Sequence, residues 1–248
     1  MVGKPTFNLG YDFVTDMMVL QFTLVDSTKV NIEHWLQRAA QSLAETIRLA
    51  ASQLLDIEFD ELVTGYRTRQ ANNQIDIFIY DNLSSGAGYT LQVQEIMPEL
   101  FKKCHSILEN CDCDSACYDC IKHYRNQFEH ALLDRFAAND LLTYGETGEI
   151  KSSLELKQQQ KLLRNIAHNF NNDEFSCDLE NMTITYKNSN TQYKVLVYPA
   201  MLNKEYAVTQ LCKIDGTNAL KTIYVSELDL KYNLPQAHIE ISSQMRHL

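Results

Sequence analysis

Nowhere in the 248 residues does an apolar run approach the roughly 20 needed to span a bilayer. The opening MVGKPTFNLG carries neither the charged n-region nor the apolar h-region of a secretory signal. The expectation is a cytoplasmic chain with no membrane partner. Thiols stay reduced there, so clustered cysteines point to a metal or to catalysis rather than to a disulfide framework, and the odd count of seven cysteines agrees. Positive charge is also short, with 22 Lys+Arg against 32 Asp+Glu. The deficit lies in residues 1–150, which hold 11 basic and 22 acidic residues, whereas 151–248 hold 11 and 10. Such a chain does not wrap duplex DNA by bulk electrostatics, because phosphate binding is driven by Lys and Arg releasing counterions. Any nucleic-acid contact is local or made by a partner. Missing as well is a GxxxxGK[ST] loop, and the acidic pairs Asp60-Glu61 and Asp173-Glu174 do not follow apolar strands, which excludes ATP hydrolysis by that route.

What is present is a globular composition, 45% apolar, enough for one large core or two modest ones. Residues 11–25, rich in β-branched and aromatic side chains, predict a long strand. A helix follows: Ile32, Leu36, Ala39, Leu43, Ile47, Ala50 and Leu54 form one apolar stripe, with Glu45 and Arg48 off it and Trp35 in the core. Residues 61–68 and 74–80 predict paired strands around the turn QANN. The turn SSGAG then leads to a helix in which Pro98 forces a kink or restart. Gly86 and Gly88 there admit two readings, a phosphate cradle at a helix N-terminus or glycines that supply positive φ and close packing. Residues 121–142 predict more helix, stopping near Gly145, and 152–170 predict a polar helical connector with Leu162, Leu163, Ile166 and Phe170 inward. From Phe175 the texture turns to short β-like runs. The expected domains are 8–150, a connector at 151–170, and a β-rich part of unknown role at 171–248.

The chemistry concentrates in CDCDSACYDC, where Cys111, Cys113, Cys117 and Cys120 have C-x-C-x3-C-x2-C spacing, expected to use one short loop and the first turn of a helix. Four thiolates suit tetrahedral zinc, and a closed four-sulfur set leaves no open position for water, so the site is structural. Iron–sulfur ligation by the same residues, and a redox pair of Cys117 and Cys120 alone, are the rivals. Lys122, His123, Tyr124, Arg125 and Asn126 directly downstream either support the ligands or touch a phosphate backbone. Cys104, Cys177 and Cys212 are expected to be small buried hydrophobes. In the tail, Asp178, Glu180, Glu227 and Asp229 are candidates for a magnesium nuclease, the alternative function.

The order NLGYDFVTDMMVL, WLQRAAQSLAETIRLAASQLL, YDNLSSGAGY and CDCDSACYDCIKHYRNQFEHALLDR resembles the MrfA-type zinc-binding domain over about residues 8–145. That family's domain ends superfamily 2 DEAD/DEAH-box helicases and occurs in the helicase-associated subunit of an anti-phage system. The resemblance implies that Cys111, Cys113, Cys117 and Cys120 bind zinc. Together with the missing ATP-binding loop, it implies an accessory module whose partners are helicase motor domains in cis or in trans and DNA through the complex, in repair or anti-phage defence. Ser85 departs from the family's G-G-A-G turn. The implied fold is α+β, a mixed sheet packed with helices around the four-cysteine zinc site, with a β-rich C-terminal extension.

Overall fold

The computed structural model describes residues 12–69, 73–215 and 221–247. The expected turn at 70–73 falls mostly outside them, as do the start of the first expected strand and the first residues of the resemblance. The fold is α+β. Its residues divide into two units, one holding the described residues up to Thr23 with Ala40–Asn139, the other Leu24–Ala39 with the described residues from Asp140 onward.

In the first unit, strands β1 (Met17–Thr23), β2 (Leu62–Arg69) and β3 (Gln74–Asp81) form an antiparallel sheet with β3 in the centre. Alternation sets its faces: Ile75, Ile77 and Ile79 are buried, while Gln74, Phe78 and Tyr80 point the other way and stay partly exposed. The first strand is shorter than the expected 11–25, since residues 12–16 and 24–25 are not paired as strand. Helix α1 (Trp35–Leu55), whose residues from Ala40 belong to this unit, carries the expected stripe, with Leu36, Ala39, Leu43, Ile47 and Ala50 buried, as is Trp35. Burial is not confined to the stripe, however, because Ser42, Glu45 and Thr46 are buried too. Each of these polar groups has a partner: Thr46 Oγ1 donates to the Ser42 carbonyl at 2.7 Å, and Ser42 Oγ accepts from the Asp134 amide at 2.8 Å. Pro98 acts as expected, restarting the chain between α2 (Tyr89–Glu95) and α3 (Met97–Glu109) at the first turn of α3. The helix expected over 121–142 is broken: a 3-10 segment, Tyr124–Glu129, and a turn precede α4 (Arg135–Thr147), which runs on past Gly145. Asn126, with φ −105° and ψ 22°, interrupts the helical geometry because its side chain is drawn inward.

The second unit contains α5 (Leu156–Ala167) and the strands β4 (Phe175–Asp178), β5 (Thr183–Tyr186), β6 (Thr191–Tyr198) and β7 (Lys221–Ser226), in the order β4-β5-β6-β7. The mixed pairing is found here, since β6 and β7 run parallel and are joined through α6 (Lys204–Asp215). Helices α7 (Glu227–Tyr232) and α8 (Leu234–His247) follow, and the β-like texture did not foretell either of them. Leu162, Leu163, Ile166 and Phe170, expected on a connector, sit in one core with Ile184, Val195, Ile223 and Val225. No described helix is long and apolar enough to cross a membrane.

Candidate metal centre

Between α3 and α4 the chain has few apolar residues with which to fold, and polar ties hold it. Arg135, only 7% exposed, donates from Nη1 to the Leu108 carbonyl at 2.6 Å and from Nε to the Cys113 carbonyl at 3.1 Å, while its amide bonds the Ser115 carbonyl at 2.8 Å. One guanidinium therefore clamps the end of α3 to the cysteine loop. Asp134 caps α4 by accepting from the Phe136 amide at 2.9 Å. Both residues close the stretch CDCDSACYDCIKHYRNQFEHALLDR, and their place in it gives no hint of this reach.

These ties bring Cys111, Cys113, Cys117 and Cys120 together, with all four sulfur atoms within 4.8 Å of one another. The pairs Cys111–Cys117, Cys113–Cys120 and Cys117–Cys120 stand 3.5, 3.7 and 3.8 Å apart. A disulfide needs about 2.05 Å. Tetrahedral thiolates at about 2.3 Å from zinc stand about 3.8 Å from each other, so the set fits that ion. Turns rather than a helix carry the last two ligands: the amides of Cys120 and Lys122 bond the Cys117 carbonyl at 3.2 and 2.9 Å, and the Cys117 amide points at Cys120 Sγ at 3.1 Å. Burial and the neighbouring sulfurs push the Cys113 thiol up to about 12, and burial also raises Cys120, whereas hydrogen bonds from Cys113 lower Cys111. The four sulfurs form a donor set suited to a cation, which would tie the loop together. Among the described residues this is the group of three or more His, Cys, Asp or Glu side chains able to hold a metal.

The downstream residues divide by direction. Asn126 is buried, donating to the Ile121 carbonyl at 2.9 Å and to Glu45 at 3.0 Å and accepting from the His123 amide at 2.9 Å. His123 Nδ1 accepts from the Arg125 amide, so Nε2 carries the proton and donates to Glu45 Oε2 at 2.9 Å. Burial lowers the His123 pKa against the raising pull of Glu45. Its edge meets Phe59 at 4.1 Å between ring centres. Lys122 is half-buried and, with Phe59, Tyr118, Cys120 and His123, lines an open cleft of about 380 Å³. Tyr124 is 75% exposed, and Arg125 points outward and pairs with Asp60. Glu45, at the centre of this network, was not singled out by its sequence position, since a lone carboxylate off an apolar stripe reads as a solvent-facing residue. Phe128, 89% exposed, also went unremarked.

At the glycine turn, backbone amides that could bind a phosphate already bond to a side chain of the protein. Ser85, Gly86 and Gly88 all have positive φ, 76°, 74° and 80°. The start of α2 is taken by the protein's own carboxylate: Asp81 accepts from the amides of Ala87 at 2.6 Å, Tyr89 at 3.1 Å and Thr90 at 2.8 Å, and from the Thr90 hydroxyl. Burial alone would raise the Asp81 carboxyl, yet the Thr90 and backbone donors hold it below its ordinary value. A Cβ at Gly86 would collide with the Asp16 carboxylate. The four acidic residues of the tail are spread: Asp178 caps a turn, accepting from the amides of Glu180 and Asn181 at 2.9 and 3.1 Å. Glu227 pairs with Lys231 at 2.9 Å, and burial raises Asp229 beside Glu240. Of the other cysteines, Cys104 is buried as expected. Cys177 is only partly so, and Cys212 is exposed, its sulfur 2.9 Å from the Tyr224 hydroxyl.

Residues 43–121 match the family model of the MrfA Zn-binding domain, a span that takes in all four sulfurs. Over 252 aligned residues, 96% of its length, the chain is 30% identical to Druantia protein DruE of Escherichia coli (strain UMEA 4076-1), of which it spans 14%. It is also similar to a solved structure described as the DUF1998 helicase MrfA bound to DNA, at 12% identity and a TM-score of 0.40, over 50% of this chain and 16% of that one. The last likeness is too low to bear on the fold.

Proposed function

We propose that the chain is a zinc-stabilised accessory module of a superfamily 2 DNA helicase in anti-phage defence, acting in the cytoplasm without ATPase activity of its own. The observation that carries this is the four-sulfur cluster of tetrahedral size inside the segment matched to the MrfA Zn-binding domain. Likeness to a Druantia protein favours defence over repair. Zinc held by Cys111, Cys113, Cys117 and Cys120 makes the loop rigid, and Glu45, His123 and Asn126 brace its downstream side. The motor acts in cis or in trans. DNA contact by the Lys122 to Arg125 stretch is weak, because Arg125 already faces Asp60 in a net acidic half. The test is elemental analysis of the purified chain together with a pull-down from native cells. About one zinc per chain and recovery of a helicase motor are expected. Metal-free soluble protein, or zinc-bound protein with no motor on the same polypeptide and none recovered with it, would sink the reading.

A further inference from the structure

Among the described residues, the outer face of the first sheet combines flat rings with positive charge, and Phe13 lies beside Tyr80 with ring centres 6.0 Å apart. Pairing aligns Val19 and Gly65 with Phe78, Met17 and Val63 with Tyr80, and Gln21 and Arg67 with Asp76, all on one side. Gly65 shapes this face. A Cβ there would fall 2.6 Å from Cζ of Phe78, so the ring lies down across β2 rather than standing off it, and only glycine permits that. Phe78 and Tyr80 then run side by side, ring centres 6.3 Å apart and planes within 26°, both partly exposed. Beside them Met17 and Val19 remain 55% and 48% exposed.

At the far end of the same face, Arg67 and Arg69 converge on one buried carboxylate. Arg67 Nη2 lies 2.6 Å and Arg69 Nε 2.7 Å from Asp76 Oδ2, and Gln21 holds the other oxygen at 3.0 Å. The two arginine side chains are still 59% and 45% exposed. Two guanidiniums against one carboxylate leave the face positive, within a half of the chain that holds 11 basic and 22 acidic residues. Near-coplanar rings on a sheet, flanked by fixed arginines, match what unpaired bases and their phosphates require: ring faces for stacking and cations for the backbone.

We infer that this face binds single-stranded nucleic acid, bases stacking on Phe78 and Tyr80 and the backbone passing Arg67 and Arg69. The inference rests on the DNA-engaging reading above and gives it a surface distinct from the Lys122 to Arg125 stretch. The test is fluorescence anisotropy of a labelled oligothymidylate of about fifteen nucleotides at low salt, with zinc content measured on every variant. Phe78→Leu with Tyr80→Leu removes the rings but keeps apolar bulk, and Val19→Glu adds a repelling charge at an exposed position. Each is expected to weaken binding about tenfold or more while zinc stays at its wild-type level. Unchanged affinity in both, with binding lost on changing Lys122 and Arg125 to Glu, overturns this face as the site and leaves the helicase reading intact. Absence of oligothymidylate binding by the wild-type chain, with Val19→Glu instead abolishing recovery of the motor, overturns it in favour of a protein-docking face. Failure of the accessory reading shows separately, as a wild-type chain with no motor on its own polypeptide and none in the pull-down.

Discussion

The two units hold together by different means. The second has a continuous apolar core in which α5, the mixed sheet, α7 and α8 all contribute, with Phe170, Ile184, Val195, Ile223 and Ile241 no more than 1% exposed. The first has a core around α1 and the antiparallel sheet, but its functional loop, Cys111 to Lys122, lies outside regular helix and strand and relies on sulfur, Arg135 and backbone carbonyls. A segment that cannot bury enough apolar surface to offset its conformational entropy needs ties of another kind. The contrast teaches where each perturbation should be felt.

The largest effect should come from the metal. Chelation, or Cys113→Ser, is expected to cost several kcal/mol in the first unit, since structural zinc contributes folding free energy outright. Hydrogen exchange should rise across 111–135 while β6 and β7 stay protected; equal loss in both units would break the comparison. Next is its mirror image. Phe170→Ala should destabilise the second unit by about 3–5 kcal/mol in a denaturant titration and leave the zinc content unchanged. Arg135→Ala should follow at about 3 kcal/mol, because two buried carbonyls lose their donor. It should also speed zinc transfer to a chelator, and an unaltered transfer rate would remove Arg135 from the support of the site. Glu45→Ala, which strands His123 Nε2 and leaves Asn126 Nδ2 with its Ile121 bond alone, should cost about 2 kcal/mol.

The smallest effect concerns pH. Gln21 and the two arginines hold Asp76 down at about 2, against burial, below an ordinary 3.8. A carboxyl depressed in the folded state stabilises it above the unfolded pKa, and that contribution fades as pH falls from about 4 to about 2. Melting temperatures of wild type and Asp76→Asn should therefore converge over that range, and a constant gap down to pH 2 would contradict the assignment.

Much of the frame was legible in the chain, because periodicity and punctuation are local. The stripe of α1, the strands β2 and β3, the restart at Pro98 and the inward side of α5 all follow from residue spacing and from what proline and alternation dictate. The cysteine spacing likewise limits its own chemistry, since four thiols in ten residues lie within reach of one ion. Other features depended on partners distant along the chain. Glu45 meets His123 and Asn126 about eighty residues on, and no local pattern marks a helical carboxylate as buried. Arg135 reaches back to Leu108 and Cys113. Asp81 fills the anion position that the glycine turn had suggested for a phosphate. Helices α6, α7 and α8 were lost among β-like runs, since helix and strand readings of short apolar stretches differ only once packing chooses between them. Composition and spacing thus determined most elements of the first unit and the four thiols that could hold one ion. Tertiary structure alone decided which polar groups are buried and what satisfies them, because a buried hydrogen bond is a property of two residues that sequence separates and folding joins.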